Sequence, residues 1–370
     1  MPRITSSQPR LALNLLATLV ATLLAAPATA ADALKPLTRP DGKPADMSKP
    51  VKVFILMGQS NMVGAGKVAG VDKVGTLENA VKQEKLYPYL IDDAGKWTQR
   101  MDVRNVRVMV AKGGGMGVHN NEWMTIKGNT IGPEVGIGHQ IGNALDEPVM
   151  ILKSCIGNRA LGWDLLPPGS ERYEYEEMDP KTKQKVTYVY AGSKDTAERW
   201  IKGTEPKPVP WYAGKQYDDD VKNAKAVLEK LGEYYPGATK YEVAGFLWWQ
   251  GERDSGTEGH SARYEHNLVN LIKSLRKDFD CPQGKFVLAT LGETSKEKAA
   301  GNAKLVFDAM MNISDPAKHP QFKGHVATVY SHPLSKGGSG NSHYGGDART
   351  YMNVGEAMGE AMVKLLQSSN

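Results

Sequence analysis

Nucleophilic, basic, acidic and amide side chains follow several apolar runs of this sequence. Residues 51–57 contain six apolar residues in seven and are followed by Gly-Gln-Ser-Asn-Met, which presents Ser60 between two amide side chains. A hydroxyl, an imidazole, a carboxylate and amide donors are the groups that acyl transfer through a serine requires. The residues of this kind that stand beyond predicted strands are Gln59, Ser60, Gly157, Asn158, Gln250, Glu252, Glu293 and His343.

Each role follows from what that reaction needs. Ser60 is the expected nucleophile, and His343, in a glycine-rich loop before a helix, is the expected base. Glu252 would orient the imidazole and stabilise its charged form.

The predicted oxyanion donors are backbone N–H groups of Ser60 and Gly157 and the side-chain amide of Gln250. Asn158 is an alternative to Gln250, and Gln59 completes the set of predicted oxyanion- or substrate-binding residues. No CxxC pair or histidine spacing indicates a metal site, so we predict neither metal nor cofactor.

Alternating strands and helices would bring these groups together. Carboxyl ends of parallel strands share one edge of a sheet, and strand–helix alternation predicts an α/β fold with a central parallel sheet and helices on both faces. We predict strands at 52–57, 101–111, 148–153, 242–249, 285–291 and 325–330, and helices at 132–144, 218–235, 260–278, 295–312 and 347–366.

The first thirty residues have the pattern of a secretory signal peptide. Residues 11–26 are apolar apart from one Asn and two Thr, and Ala28-Thr29-Ala30 predicts cleavage after Ala30. A transmembrane anchor is the alternative, although the apolar run is short for a span. We expect a signal peptide at 1–30, an extended leader at 31–50, and one domain at 51–370 with a long insertion at about 165–215. The mature protein would be periplasmic or secreted.

Composition limits the classes of partner. Hydrophobic residues make up 41% of the 370 residues and charged residues 24%, with a formal net charge of +5. Basic residues are scattered among acidic ones, so we predict no nucleic-acid surface. Cys155 and Cys281 leave two interpretations open, a pair of buried thiols or one disulfide.

Three motifs resemble a known family. Residues 58–62 (Gly-Gln-Ser-Asn-Met), residues 249–252 (Trp-Gln-Gly-Glu) and the late His343-Tyr344 are similar to the sialate O-acetylesterase-like domain. This group lies in the SGNH hydrolase superfamily and also contains the family 6 carbohydrate esterases, among them acetylxylan esterases. The resemblance covers about 51–365, nearly the whole mature chain.

The resemblance implies a three-layer α/β/α sandwich of flavodoxin-like type that removes acetyl groups from sugar hydroxyls without a metal. By motif position Ser60 would be the nucleophile, His343 the base, Gln250 an oxyanion donor and Glu252 the acid partner. The implied partner is an acetylated carbohydrate, with no nucleic acid and no membrane after signal cleavage. The motifs leave the glycan, the acetylated position and the oligomeric state open.

One position departs from the family pattern. Many members have Asp three residues before the catalytic His, whereas Gly340 stands there in this chain. Either Glu252 then serves as the acid or the site works as a Ser–His dyad, and Asp347 is a less favoured substitute.

Two kinds of function fit these observations. The leading hypothesis is a secreted carbohydrate esterase that removes O-acetyl groups through an acyl-enzyme on Ser60. Peptidoglycan or a sulfated glycan is an alternative target for the same chemistry. The missing Asp and the aromatic-rich insertion motivate the other hypothesis, a carbohydrate-binding homologue with weakened catalysis.

Overall fold

A computed structural model describes residues 1–2, 36–179 and 182–368. Its strands are β1 (Val51–Gly58), β2 (Gly66–Lys67), β3 (Gln99–Val110), β4 (Met116–Thr125), β5 (Thr130–Ile131), β6 (Val149–Ser154), β7 (Tyr173–Met178), β8 (Lys185–Tyr190), β9 (Arg199–Ile201), β10 (Tyr241–Trp249), β11 (Lys285–Ala289) and β12 (Val326–Val329). Its α-helices are α1 (Ser60–Val63), α2 (Leu77–Lys82), α3 (Glu134–Ala144), α4 (Lys215–Glu229), α5 (Leu231–Tyr234), α6 (Glu252–Ser255), α7 (Glu258–Asp278), α8 (Gly301–Asn312) and α9 (Ala348–Gln367).

The main sheet has seven strands in the order β12-β11-β10-β1-β6-β3-β4. All neighbouring pairs are parallel except β3 and β4, which are antiparallel. The predicted α/β fold with a central parallel sheet is confirmed. The prediction missed β4 because its residues are largely polar and half-exposed, as an edge strand allows. The glycines at 113–115 lie in the turn that joins β3 to β4.

Helices cover both faces of the sheet. Side chains of Val53 and Ile55 on β1 join a core that includes Tyr217 of α4 and Leu268 of α7. On the opposite face α3 and α9 pack together, where Gly136 lies against the backbone of α9. The central strand is buried on both faces, which explains why its sequence is a nearly continuous apolar run.

Several predicted boundaries are wrong in detail. The segment at 165–215 is not irregular throughout, since β7, β8 and β9 form a separate antiparallel sheet there. The helix predicted at 218–235 is interrupted at Lys230, whose backbone angles leave the helical region. The helix predicted from 295 begins at Gly301.

The signal-peptide prediction cannot be compared with the fold, since residues 3–35 lie outside the described ranges. Residues 36–50 contain neither helix nor strand. None of the helices within the described ranges is long and apolar enough to cross a membrane.

Cys155 and Cys281 are separate thiols, so the disulfide alternative does not hold in this structure. Burial raises the pKa of the Cys155 thiol to about 12.

Candidate active site

A cavity of about 480 Å³ opens at the carboxyl edge of the parallel sheet. Its walls come from the connections after β1, β6 and β10 and from the loop before α9. The lining residues are Gln59, Ser60, Gly157, Asn158, Glu252, Arg253, Gly256, Gly340, Asn341 and His343. All of the sequence-predicted candidate residues except Gln250 and Glu293 therefore meet at one cavity.

Ser60 is presented by a turn that only glycine can make. Gly58 ends β1 with φ of +146°, and a Cβ there would lie 2.3 Å from the carbonyl oxygen of Trp249. This close approach to β10 lets the chain turn at once into α1, whose first residue is the half-buried Ser60. Gly157 faces it from the other side, since a Cβ on Gly157 would lie 3.3 Å from the Ser60 Cβ.

His343 lies in a turn of reversed handedness. The φ values of residues 343–346 are +53°, +53°, +63° and +80°, all in the left-handed region. Two of these residues, His343 and Tyr344, are not glycine, and such backbone strain is most often found where function requires it. In the part of the chain that the structure describes, the His343 ring has no hydrogen-bond partner, which leaves both ring nitrogens available to a substrate or to Ser60.

Buried aromatic residues hold this turn in place. The Tyr344 ring stacks on Trp249 with centroids 5.8 Å apart, and its hydroxyl accepts a hydrogen bond from the N–H of Gly292. The Tyr351 hydroxyl donates to the carbonyl of His343 at 3.4 Å. Trp248 and Trp249 are both completely buried, so neither indole forms a wall of the cavity.

Glu252 binds the serine loop rather than the histidine. Its carboxylate accepts hydrogen bonds from the side-chain amides of Gln59, at 2.5 Å, and Asn61. Asn61 also donates to the carbonyl of Gly340 at 3.2 Å. Glu252 thus ties the segment around Ser60 to the segment that leads to His343. No hydrogen bond joins it directly to His343 among the described residues.

Burial raises the pKa of Glu252 to about 7, and the negative charge of Glu293 adds to the rise. The hydrogen bond from Asn61 acts in the opposite direction. The raised pKa makes Glu252 a weaker source of negative charge near neutral pH than an ordinary exposed carboxylate.

The Gln250 side chain forms hydrogen bonds within the protein and does not line the cavity. Its side-chain N–H group donates to the carbonyl of Arg159 at 2.8 Å and to Asp254 at 2.6 Å, and its oxygen accepts from the Tyr264 hydroxyl at 2.9 Å. This arrangement is at odds with the expected role of Gln250 as an oxyanion donor. Gln250 instead holds the 157–159 loop from behind.

Sequence reasoning missed Asp254. This fully buried carboxylate accepts the N–H groups of Leu161 and Gly162, each at 2.8 Å, and so fixes the chain beyond the 157–159 loop. Burial raises its pKa to about 7. The signal that could have found it is its place four residues after Gln250, in the first turn of the short helix α6.

The Gly157 loop presents donors to the cavity. The N–H of Gly157 bonds to no acceptor among the described residues. Asn158 has φ of +55°, which Asn tolerates better than most residues, and its exposed side chain lines the cavity. An N–H group and an amide beside Ser60 are suited to stabilise an oxyanion.

A buried ion pair supports α1 from below. Lys153 donates to Glu134 at 2.5 Å and to the carbonyl of Val63, the last residue of α1, at 2.8 Å. Glu134 also accepts the N–H of Gly132. The lysine therefore satisfies a helix-end carbonyl that would otherwise be buried without a donor.

Three solved structures align over most of this chain. A protein of Arabidopsis thaliana aligns at 17% identity with a TM-score of 0.48, covering 85% of this chain and 98% of its own. A carbohydrate acetylesterase from Xanthomonas citri aligns at 13% with a TM-score of 0.46, covering 83% of this chain and 55% of its own. The protein NanS aligns at 14% with a TM-score of 0.47, covering 86% of this chain and 98% of its own.

A sequence search of curated proteins found no significant match. A family model described as a carbohydrate esterase, sialic acid-specific acetylesterase, matches residues 50–364. That match covers well over half of the chain and contains every residue that lines the cavity. The chain therefore belongs to this family of carbohydrate esterases.

Proposed function

We propose that this protein removes O-acetyl groups from carbohydrates through an acyl-enzyme on Ser60. The Ser60 hydroxyl attacks the acetyl carbonyl while His343 accepts its proton. The sugar oxygen then leaves with the proton from the imidazolium, and water activated by His343 releases acetate from the acyl-serine.

The observation that carries this proposal is the meeting of Ser60, His343, Gly157 and Asn158 at one cavity. The N–H groups of Ser60 and Gly157 and the Asn158 amide would bind the oxyanion. Gln59 and Glu252 would act from behind, because their hydrogen bond sets the position of the serine loop.

Acetate release by the purified protein tests the proposal. We expect turnover of p-nitrophenyl acetate and of at least one acetylated oligosaccharide. Ser60→Ala should lower kcat by about 10⁴-fold or more because it removes the nucleophile. The matched control is Ser314→Ala, a half-buried serine at the end of α8, which should keep wild-type rates. Full activity of Ser60→Ala would refute the mechanism.

The alternative is a carbohydrate-binding homologue with weakened catalysis. The glycine at 340, where the family often has Asp, is the observation that favours it. A fluorophosphonate probe separates the two, because an activated serine reacts covalently and an inert one does not. Labelling of Ser60 that His343→Ala abolishes supports the esterase. Glycan binding without labelling or acetate release supports the binding protein.

We also propose that the protein is exported, from the signal-like pattern of residues 1–30. Expression of the full chain followed by mass spectrometry tests this. A mature N-terminus at Ala31 is expected, and retention of residues 1–30 on the isolated protein would contradict it.

A further inference from the structure

The loop after β11 places a carboxylate beside position 340. Glu293 accepts the N–H of Gly340 at 3.2 Å. A Cβ built on Gly340 would lie 2.4 Å from the same carboxylate oxygen and 3.0 Å from the Tyr344 hydroxyl. The Glu293 carboxylate therefore occupies the space into which a side chain at 340 would extend.

This loop has little freedom to move away. The N–H of Gly292 donates to the Tyr344 hydroxyl at 3.1 Å, while its carbonyl lies 2.6 Å from the His332 ring nitrogen Nδ1. A Cβ on Gly292 would lie 2.1 Å from the Ser335 hydroxyl, so the backbone is enclosed on that side too. Glu293 is therefore presented from a backbone that is fixed to the histidine turn itself.

The charge of Glu293 acts on the site. Burial raises the pKa of Glu252 and of the Tyr344 hydroxyl, and the negative charge of Glu293 adds to both rises. Glu252 has both oxygens engaged by the serine loop. Of these two acids, only Glu293 is bonded directly to the segment that carries His343.

We propose that Glu293 is the positioning residue that supplies, from a different loop, the carboxylate absent at Gly340. By accepting the Gly340 N–H it holds residues 340–343 so that the His343 ring stays at the cavity that Ser60 also lines, and its negative charge favours the imidazolium that forms during catalysis. This inference rests on the proposed function, because it assigns Glu293 to the reaction at Ser60.

Moving the carboxylate from position 293 to position 340 tests this proposal. Glu293→Ala should lower kcat by roughly 10- to 100-fold, as expected for a displaced catalytic group, and change KM less than about twofold because substrate contacts remain. Gly340→Asp alone should also be impaired, because its carboxylate would enter the space of the Glu293 carboxylate and displace it from the N–H of residue 340. The double variant Glu293→Ala/Gly340→Asp should exceed both single variants, because the carboxylate returns from the other position without the collision.

The matched control is Glu297→Ala, an exposed acid in the same connection, which should keep wild-type kcat. Hydrogen exchange of residues 336–346 gives a readout independent of turnover, and Glu293→Ala should accelerate it. Wild-type kcat in Glu293→Ala, or a double variant no better than the worse single variant, would overturn the assignment. Failure of the proposed function has a different signature, since wild-type protein would then lack Ser60-dependent turnover.

Discussion

Arg253 is an exposed cation on the wall of the candidate active-site cavity. Within the described ranges its guanidinium forms no hydrogen bond or ion pair with the protein. An unpaired guanidinium presents several donors to a carboxylate or sulfate in a fixed geometry. It would therefore favour an acetylated sugar that carries an anionic group near the ester.

Arg253→Gln should lower kcat/KM for an acetylated uronate-containing oligosaccharide by roughly 10-fold. A neutral acetylated xylo-oligosaccharide should be affected much less, because it has no charge to pair. Arg253→Lys serves as the matched control, since it keeps the positive charge. An equal loss on both substrates would assign Arg253 a structural role instead.

Residue types were easier to predict than residue partners. Ser60 and His343 were predicted as nucleophile and base because those roles have few substitutes and each residue lies in a recognisable motif, and both line the cavity. The roles of Gln250 and Glu252 depend on which neighbours face them. Tyr264 and Asp254 bind Gln250, and Asn61 binds Glu252. Such contacts arise only when distant parts of the chain are packed together.

At the scale of elements, the placement of Ser60 depends on a helix that is too short to be stable without contacts from other elements. Helix α1 has four residues, and the buried Lys153 on β6 binds its terminal carbonyl. The lysine and Glu134 are both largely buried, so each needs the other. The turn that carries Ser60 is thus supported by an ion pair that does not line the cavity.

Lys153→Met should destabilise the protein by about 3–5 kcal/mol, because it leaves the Glu134 charge buried and unpaired. Adding Glu134→Gln removes that charge, so the double variant should recover part of the loss. Urea unfolding of the four proteins of this cycle measures the coupling. The matched control is Lys52→Met, whose partner Glu242 is exposed. Equal effects at both lysines would contradict the explanation.

Elements were predictable where burial dictates composition. The apolar run at 51–57 predicted β1 to within a residue, because a central strand packs on both faces. The insertion was predicted as irregular because β7 alternates Tyr with Glu and β9 has only three residues, so neither forms an apolar run. Those strands are stabilised by pairs such as Tyr190 with Glu177 and by the stacking of Tyr173 on Tyr190, which no hydrophobic pattern reveals.

For the whole molecule, the buried histidines and the buried acids have opposite effects on how stability changes with pH. Burial lowers the pKa of His139 and His260 to about 3 and raises that of Glu252 and Asp254 to about 7. In the unfolded chain the two histidines bind protons below about pH 6.5, whereas in the folded protein they stay neutral. Protons therefore favour the unfolded chain, and the histidines' contribution to stability is lost as pH falls. Above about pH 4.5 the two acids are ionised in the unfolded chain but stay protonated in the folded protein. Rising pH therefore favours the unfolded chain, and the acids' contribution to stability is lost as pH rises towards 7.

Between about pH 4.5 and 6.5 both effects act together, so the stability change from the two histidines offsets that from the two acids. His260 is the sharper test, because neither ring nitrogen has a hydrogen-bond partner within the described part of the chain. Glu198 lies 3.8 Å from its Nδ1, while the charges of Arg199 and Arg253 also disfavour the protonated ring.

His260→Phe should gain stability relative to wild type as pH falls from about 6.5 to 4.5, by up to about 1.4 kcal/mol per pH unit. Phenylalanine removes the group that only the unfolded state protonates and keeps a ring against Tyr190. Denaturant unfolding at several pH values measures the difference. His119→Phe, at an exposed position, is the control and should show a smaller trend. A difference that is independent of pH would contradict the predicted sign.

The turn at residues 343–346 has a stereochemical consequence. Its angles are those that a chain of D-amino acids would adopt without strain. Semisynthesis with D-alanine in place of Gly345 should therefore keep the free energy of unfolding, whereas L-alanine should lower it by about 1–2 kcal/mol. The proposed general base thus lies where the backbone adopts left-handed angles, which are the mirror image of those that L-residues prefer.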